Sequence, residues 1–124
     1  MDAYRVEDWL QRYIEAWKSY DRDQIRDLFS EDVSYRYHPH DEPTIGRDEL
    51  VDSWLEDRDT PGTYEAHYEP VAVDGETAVA VGHSTYLRED GSTEIFDNCF
   101  VMRFDEEGRC KSFTEWYVKR PKSP

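Results

Sequence analysis

The sequence predicts an α+β domain, and three observations predict it. An apolar stripe at helical spacing opens the chain, two further helix starts follow, and the second half is a run of strand-like segments separated by tight-turn signals. Helices grouped ahead of a meander imply a curved, mostly antiparallel sheet wrapped over three N-terminal helices.

Val6, Trp9, Leu10, Tyr13, Ile14 and Trp17 recur at i, i+3, i+4, i+7, i+8 and i+11, the apolar face of a helix of about four turns. Asp21 can cap a second, shorter helix that turns Ile25, Leu28 and Phe29 inward. Val33 to Tyr37 alternates and reads as a short strand. His38 to Pro43 reads as a loop, because its two prolines exclude regular structure. Gly46 to Glu49 opens a third helix with Leu50, Val51, Trp54 and Leu55 on its buried face, and Arg58 to Gly62 breaks it. Four strands complete the chain: Thr63 to Val73, Glu76 to Leu87, Thr93 to Phe104 and Arg109 to Val118. Asp74-Gly75, Asp90-Gly91 and the polar loop Asp105 to Gly108 join them as hairpins. Neither repeats nor linkers divide the chain, so one domain is expected over residues 1–120, with residues 121–124 as a tail.

A chain of 124 residues is enough for a single core. Its 29 acidic residues against 15 Lys and Arg give a formal charge of -14, which repels nucleic acid and anionic membranes as partners. No apolar run is long enough to span a bilayer, and the N-terminus lacks a signal-peptide pattern. The two cysteines, Cys99 and Cys110, fall out of register across the last hairpin and are expected to be free thiols, which suits the cytoplasm. Aromatic residues make up 15%, enough to build a core or a cavity from rings that keep polar tips.

Turn lengths set the register. If Phe104 pairs with Arg109, then Phe100 lies opposite Phe113, Asn98 opposite Glu115, and Phe96 opposite Tyr117, all on one face. If Glu89 pairs with Ser92, His83 faces Asn98. His83, Asn98 and Glu115 then form a polar row across three strands, with His83 and Glu115 about 10 Å apart. Two readings are open: an acid/base pair in an aromatic pocket, or a satisfied polar network in a core. The other face carries Cys99, Val101, Thr114 and Trp116, apolar enough for a homodimer surface.

The order of elements resembles the nuclear transport factor 2-like superfamily, a cone-shaped α+β fold, and within it the ketosteroid isomerase and SnoaL-like group. Arg12-Tyr13-Ile14-Glu15 resembles that enzyme's first helix. Ile45-Gly46-Arg47 resembles the start of its third helix, and Val101 to Glu106 with Gly108-Arg109 resembles its final hairpin. The resemblance implies that Tyr13 donates to an oxyanion. It carries the general-base aspartate onto Tyr37, or onto His38 with a shift of one, and the second acidic donor onto Phe100. Neither Tyr37 nor His38 is a carboxylate and Phe100 cannot donate, so ketosteroid isomerisation is not the expected activity. A supporting tyrosine of some relatives falls on Trp54. The epoxide hydrolases of the superfamily pair carboxylates with an arginine, but Asp97 and Arg103 have the phase of the outer face. Its dehydratases use a His–Asp type pair, work that His83 or His38 could do.

The candidate catalytic residues are therefore Tyr13, His83, Glu115 and His38. The candidate ligand contacts are Trp17, Tyr37, Trp54, Phe96, Asn98, Phe100, Phe113 and Tyr117. The expected partner is a small, mostly apolar organic molecule, with isomerase, lyase or hydrolase chemistry; the alternative is a non-catalytic ligand-binding or dimerisation module. No cofactor is expected. His38, His40, Asp41 and Glu42 match no standard zinc spacing and read as a solvated loop rim, so no metal is expected either.

Overall fold

Residues 1–122 are described by a computed structural model, and residues 123–124 of the expected tail lie outside it. The Asp2 carboxylate accepts from the Arg5 amide and starts α1 (Ala3–Ser19). Tyr20 stops it in a left-handed conformation (φ 49°), donating its N–H to the Ala16 carbonyl at 2.8 Å. Asp21 caps α2 (Arg22–Leu28) in the same way as Asp2 caps α1. α3 (Arg47–Glu56) starts at Gly46.

Six strands follow one another in space as β2-β1-β6-β5-β4-β3. They are β1 (Phe29–Arg36), β2 (Thr44–Ile45), β3 (Tyr64–Asp74), β4 (Thr77–Leu87), β5 (Thr93–Phe104) and β6 (Cys110–Lys119). The α+β class stands. Two features were not expected. Phe29 belongs to the first strand rather than to the second helix, and Thr44–Ile45 makes a short edge strand beside Tyr35 and Ser34. β1 also runs parallel to β6, the single parallel pairing among otherwise antiparallel neighbours in the described residues.

Helices and sheet share one core. Trp9 sits in it fully buried, its indole N–H donating to the Leu28 carbonyl at 3.0 Å. Its ring meets Tyr13, Phe29, Phe104 and Phe113 within 6.3 Å, in stacked, edge-on and tilted pairs.

The turns correct the register, and with it one candidate site residue. The β5–β6 loop is closed by Asp105 and Arg109, with Gly108 at φ 81°, so it holds three residues rather than four. That shortening alone would turn β6 over. Lys111 then stands unpaired between Cys110, opposite Phe104, and Ser112, opposite Arg103, as a bulge that turns it back. Glu115 and Tyr117 keep the inner face, but their partners move by two: Glu115 lies opposite Phe100, Tyr117 opposite Asn98, Phe113 opposite Met102, and Lys119 opposite Phe96. Cys99 faces Trp116, and both cysteines are free thiols.

The β4–β5 turn has the same kind of change without a compensating bulge. Arg88 donates to the Ser92 carbonyl and Gly91 takes φ 84°, so three residues form the loop where two were expected. One residue of slip exchanges the faces of β4. His83 pairs with Asp97, is exposed on the outer face, and leaves the polar row. Ala78, Ala80, Gly82 and Ser84 hold the inner face instead.

Candidate functional site

A cavity of about 520 Å³ opens between the helix ends and the sheet. Seven of the nine tyrosines line it: Tyr13, Tyr20, Tyr35, Tyr37, Tyr68, Tyr86 and Tyr117. Trp17, Trp54 and Phe96 add apolar wall, and Ser53, Asp57, Asp59 and Arg88 add polar groups. Strand period explains the grouping. Tyr35 and Tyr37, Ser84 and Tyr86, Phe96 and Asn98, and Glu115 and Tyr117 are i, i+2 pairs on inner faces.

The polar row exists, with Ser84 in the place expected for His83. Ser84 Oγ donates to Asn98 Oδ1 at 3.0 Å, and Asn98 Nδ2 donates to Glu115 Oε2 at 2.8 Å. This order fixes the Asn98 amide, since its oxygen accepts from a hydroxyl and its nitrogen faces a carboxylate. Burial pushes the Glu115 carboxyl from its ordinary 4.5 up to about 7, against the opposing pull of the Asn98 amide and the His38 imidazole. Such a carboxyl exchanges its proton near neutral pH.

The phenols next to it behave differently. Tyr13 is 8% exposed and Tyr35 1%, and their hydroxyls share a hydrogen bond of 2.9 Å. Burial, followed for Tyr13 by the Glu115 charge and for Tyr35 by the Tyr13 phenol, raises both well above the ordinary phenol range. Burial and Glu115 push Tyr68 up as well. These phenols stay protonated. In the Tyr13–Tyr35 pair one hydrogen is spent on the other oxygen, and the second is left for a ligand.

Most sequence-predicted contacts meet here: Tyr13, Trp17, Tyr37, Trp54, Phe96, Asn98, Glu115 and Tyr117. Phe100 and Phe113 do not line the cavity. They lie beneath it at 1% and 0% exposure, with ring centroids 5.9 and 5.7 Å from Tyr13. His38 stands at the rim, bonded to Asp41 and to the Tyr117 hydroxyl. Sequence reasoning missed Tyr35, although its shared phase with Tyr37 announces it. It also missed Ser84, hidden by the inverted face of β4.

His83 touches none of this. Its neighbours are the His67 ring, 6.3 Å away, and Asp97, which a two-pronged Arg120 contact already holds at 2.7 and 2.9 Å. His83→Ala is therefore expected to leave ligand binding and turnover unchanged and to move stability by less than about 0.5 kcal/mol, read by urea titration.

His38, His40 and Asp41 bring donor atoms within 4.8 Å of one another. Both ring nitrogens of His38 already serve hydrogen bonds, Nδ1 with Asp41 and Nε2 with Tyr117. Among the described residues no helix is long and apolar enough to cross a membrane.

A family model described as the SnoaL-like domain matches residues 10–113. Among solved structures, an NTF2-like protein of unknown function from Cytophaga hutchinsonii ATCC 33406 is similar, with a TM-score of 0.68 and 14% identity, covering 90% of this chain and 98% of that one. At that identity the likeness shows the fold alone. No curated protein matches the sequence.

Proposed function

We propose a function on the premise of the family: the chain belongs to the SnoaL-like domain family, and its cavity binds a small, mostly apolar organic molecule and moves a proton on it. The observation that carries this reading is Glu115, a half-buried carboxyl on the cavity wall whose proton is held to near neutral pH beside the Tyr13–Tyr35 pair. As a carboxylate, Glu115 takes a proton from a carbon next to an electron-withdrawing group. The free phenol hydrogen of the tyrosine pair meets the oxygen on which negative charge grows. Isomerisation and elimination use such a step, and in hydrolysis the same carboxylate would take its proton from water instead. The base comes from the last strand, whereas ketosteroid isomerases place it at the end of the first, so a different substrate orientation follows.

The test is turnover of 5-nitrobenzisoxazole, whose ring opens when a base removes its carbon-bound proton, together with thermal shifts over neutral ketones and epoxides. Turnover that requires Glu115 supports the reading. Ligand-induced stabilisation without turnover in any substrate would make the domain a carrier, and neither response would make it a purely structural module.

The outer sheet face supports pairing with a second copy. Val79, Val81, Cys99, Val101 and Thr114 are half-buried there without a covering helix, and Trp116 is 43% exposed among them. Trp116→Asp is expected to convert a dimer to a monomer in size-exclusion chromatography, while a wild-type monomer would remove the proposal. The free thiols support a reducing, cytoplasmic location.

A further inference from the structure

Tyr117 is the one cavity phenol whose hydroxyl is wired to a histidine. His38 Nε2 lies 2.6 Å from the Tyr117 oxygen, and His38 Nδ1 lies 2.8 Å from Asp41 Oδ2. The loop that carries the chain is itself fixed: the Asp41 N–H donates to the His38 carbonyl at 3.1 Å, and Arg36 Nε donates to the Asp41 carbonyl at 3.2 Å. The order carboxylate, imidazole, hydroxyl is that of an activated acid/base chain, in which the carboxylate sets the ring orientation and the ring exchanges a proton with the hydroxyl. Tyr117 stands two residues from Glu115 on the same inner face of β6, and both line the cavity.

We propose that Tyr117 is the proton donor that complements Glu115, recharged through His38, with Asp41 as the positioning residue. This rests on the reading of Glu115 as the base. When the imidazole is protonated, Nδ1–H donates to Asp41 and Nε2–H donates to the Tyr117 oxygen. The phenol hydrogen is then directed away from His38 and toward a ligand. The groups that bear on the ring are Asp41, Tyr117, Glu115 and the His40 imidazole, whose centroid is 5.3 Å away. Two separated proton-transfer groups suit reactions that lose a proton at carbon and gain one at a departing or electron-receiving oxygen. Elimination of an oxygen leaving group is the simplest of these.

On a benzisoxazole the step balances as an isomerisation. Glu115 takes the carbon-bound proton, the C–H electron pair completes a nitrile, and the N–O bond breaks with its pair left on oxygen. Tyr117 gives that oxygen its proton, His38 Nε2–H replaces the proton on Tyr117, and water at the mouth resets Glu115 and His38.

The experiment compares 1,2-benzisoxazole, whose departing cyanophenolate is the more basic and gains more from a proton donor, with 5-nitrobenzisoxazole, whose less basic nitrophenolate gains little. Tyr117→Phe is expected to slow the unsubstituted probe about tenfold or more beyond whatever it costs the nitro probe. Asp41→Asn and His38→Gln should give the same selective loss, a pattern that a merely structural defect does not produce. Tyr117 is 42% exposed, so removal of its hydroxyl leaves packing intact. Equal losses on both probes, or none, would overturn the inference while leaving Glu115 as the base. Turnover of neither probe by the wild type would overturn both.

Discussion

Glu115→Gln is expected to lower proton-transfer turnover by about 10²–10⁴-fold while making the protein more stable above neutral pH. The two effects have one cause. The carboxyl stands half-buried in the cavity wall, and its desolvation there holds its proton to about pH 7 instead of 4.5. In the unfolded chain the same group ionises near its ordinary value. The stability that comes from the raised value is complete below about pH 4.5 and is lost as pH climbs to about 7. Over that window the wild type gives up about 3 kcal/mol at most. Glutamine keeps an oxygen for the Asn98 amide, which now donates at 2.8 Å, but has no charge to desolvate. Urea titrations at pH 4 and pH 8 should show a variant equal to the wild type in acid and more stable in base. Turnover of 5-nitrobenzisoxazole by the wild type should rise with pH through about 7, because only the carboxylate accepts a proton. A variant that keeps both its activity and the wild-type pH dependence of stability would contradict this account.

Gly82→Ala is expected to cost about 3 kcal/mol or more and to close the cavity's β4 wall. Gly82 pairs with Tyr68 across β3 and β4 and with Asn98 across β4 and β5. A Cβ built there would stand 2.0 Å from the His67 carbonyl oxygen, 2.7 Å from Tyr68 Cδ1 and 2.8 Å from Tyr68 Cα. Two of the three obstacles are backbone, so rotating a side chain cannot relieve them, and the strands must part. Tyr68 lines the cavity and its ring packs 4.6 Å from Phe100. Displacing it disturbs binding as well as stability. Gly75→Ala is the control, since nothing lies within 4 Å of its Cβ position and only its φ of 60° is strained. A urea midpoint for Gly82→Ala as high as that of Gly75→Ala would show that β3 and β4 are not so tightly apposed.

The helices were legible in the sequence because their apolar spacing is regular, and for α2 the Asp21 cap states the same answer a second time. The α+β class followed from their order. The cavity's β5 and β6 walls were also legible, although through a register that was wrong by two residues. The shorter loop at Gly108 and the bulge at Lys111 each shift the phase, and the two shifts cancel at Glu115. At Gly91 the loop lengthening has no such compensation, and it cost His83 its place. Composition added to that error. Val79 and Val81 look like core residues beside Ala78, Ala80 and Gly82, yet the small residues face inward, where helix α1 and Tyr68 need the room. The rim chain from Asp41 through His38 to Tyr117 spans residues far apart in sequence. It depends on how a proline-bearing loop folds back over β6, which no periodicity encodes.

The measurement closest to the central claim is the titration of the Glu115 carboxyl carbon by NMR, assigned through Glu115→Gln. A midpoint near 7, in place of the ordinary 4.5, is the expected result. It should fall when Phe96→Ala or Trp54→Ala opens the cavity to water, because burial is what raises it. A midpoint near 4.5 in the wild type would mean that Glu115 is an ordinary solvated carboxylate, and the acid/base site would be contradicted at its base.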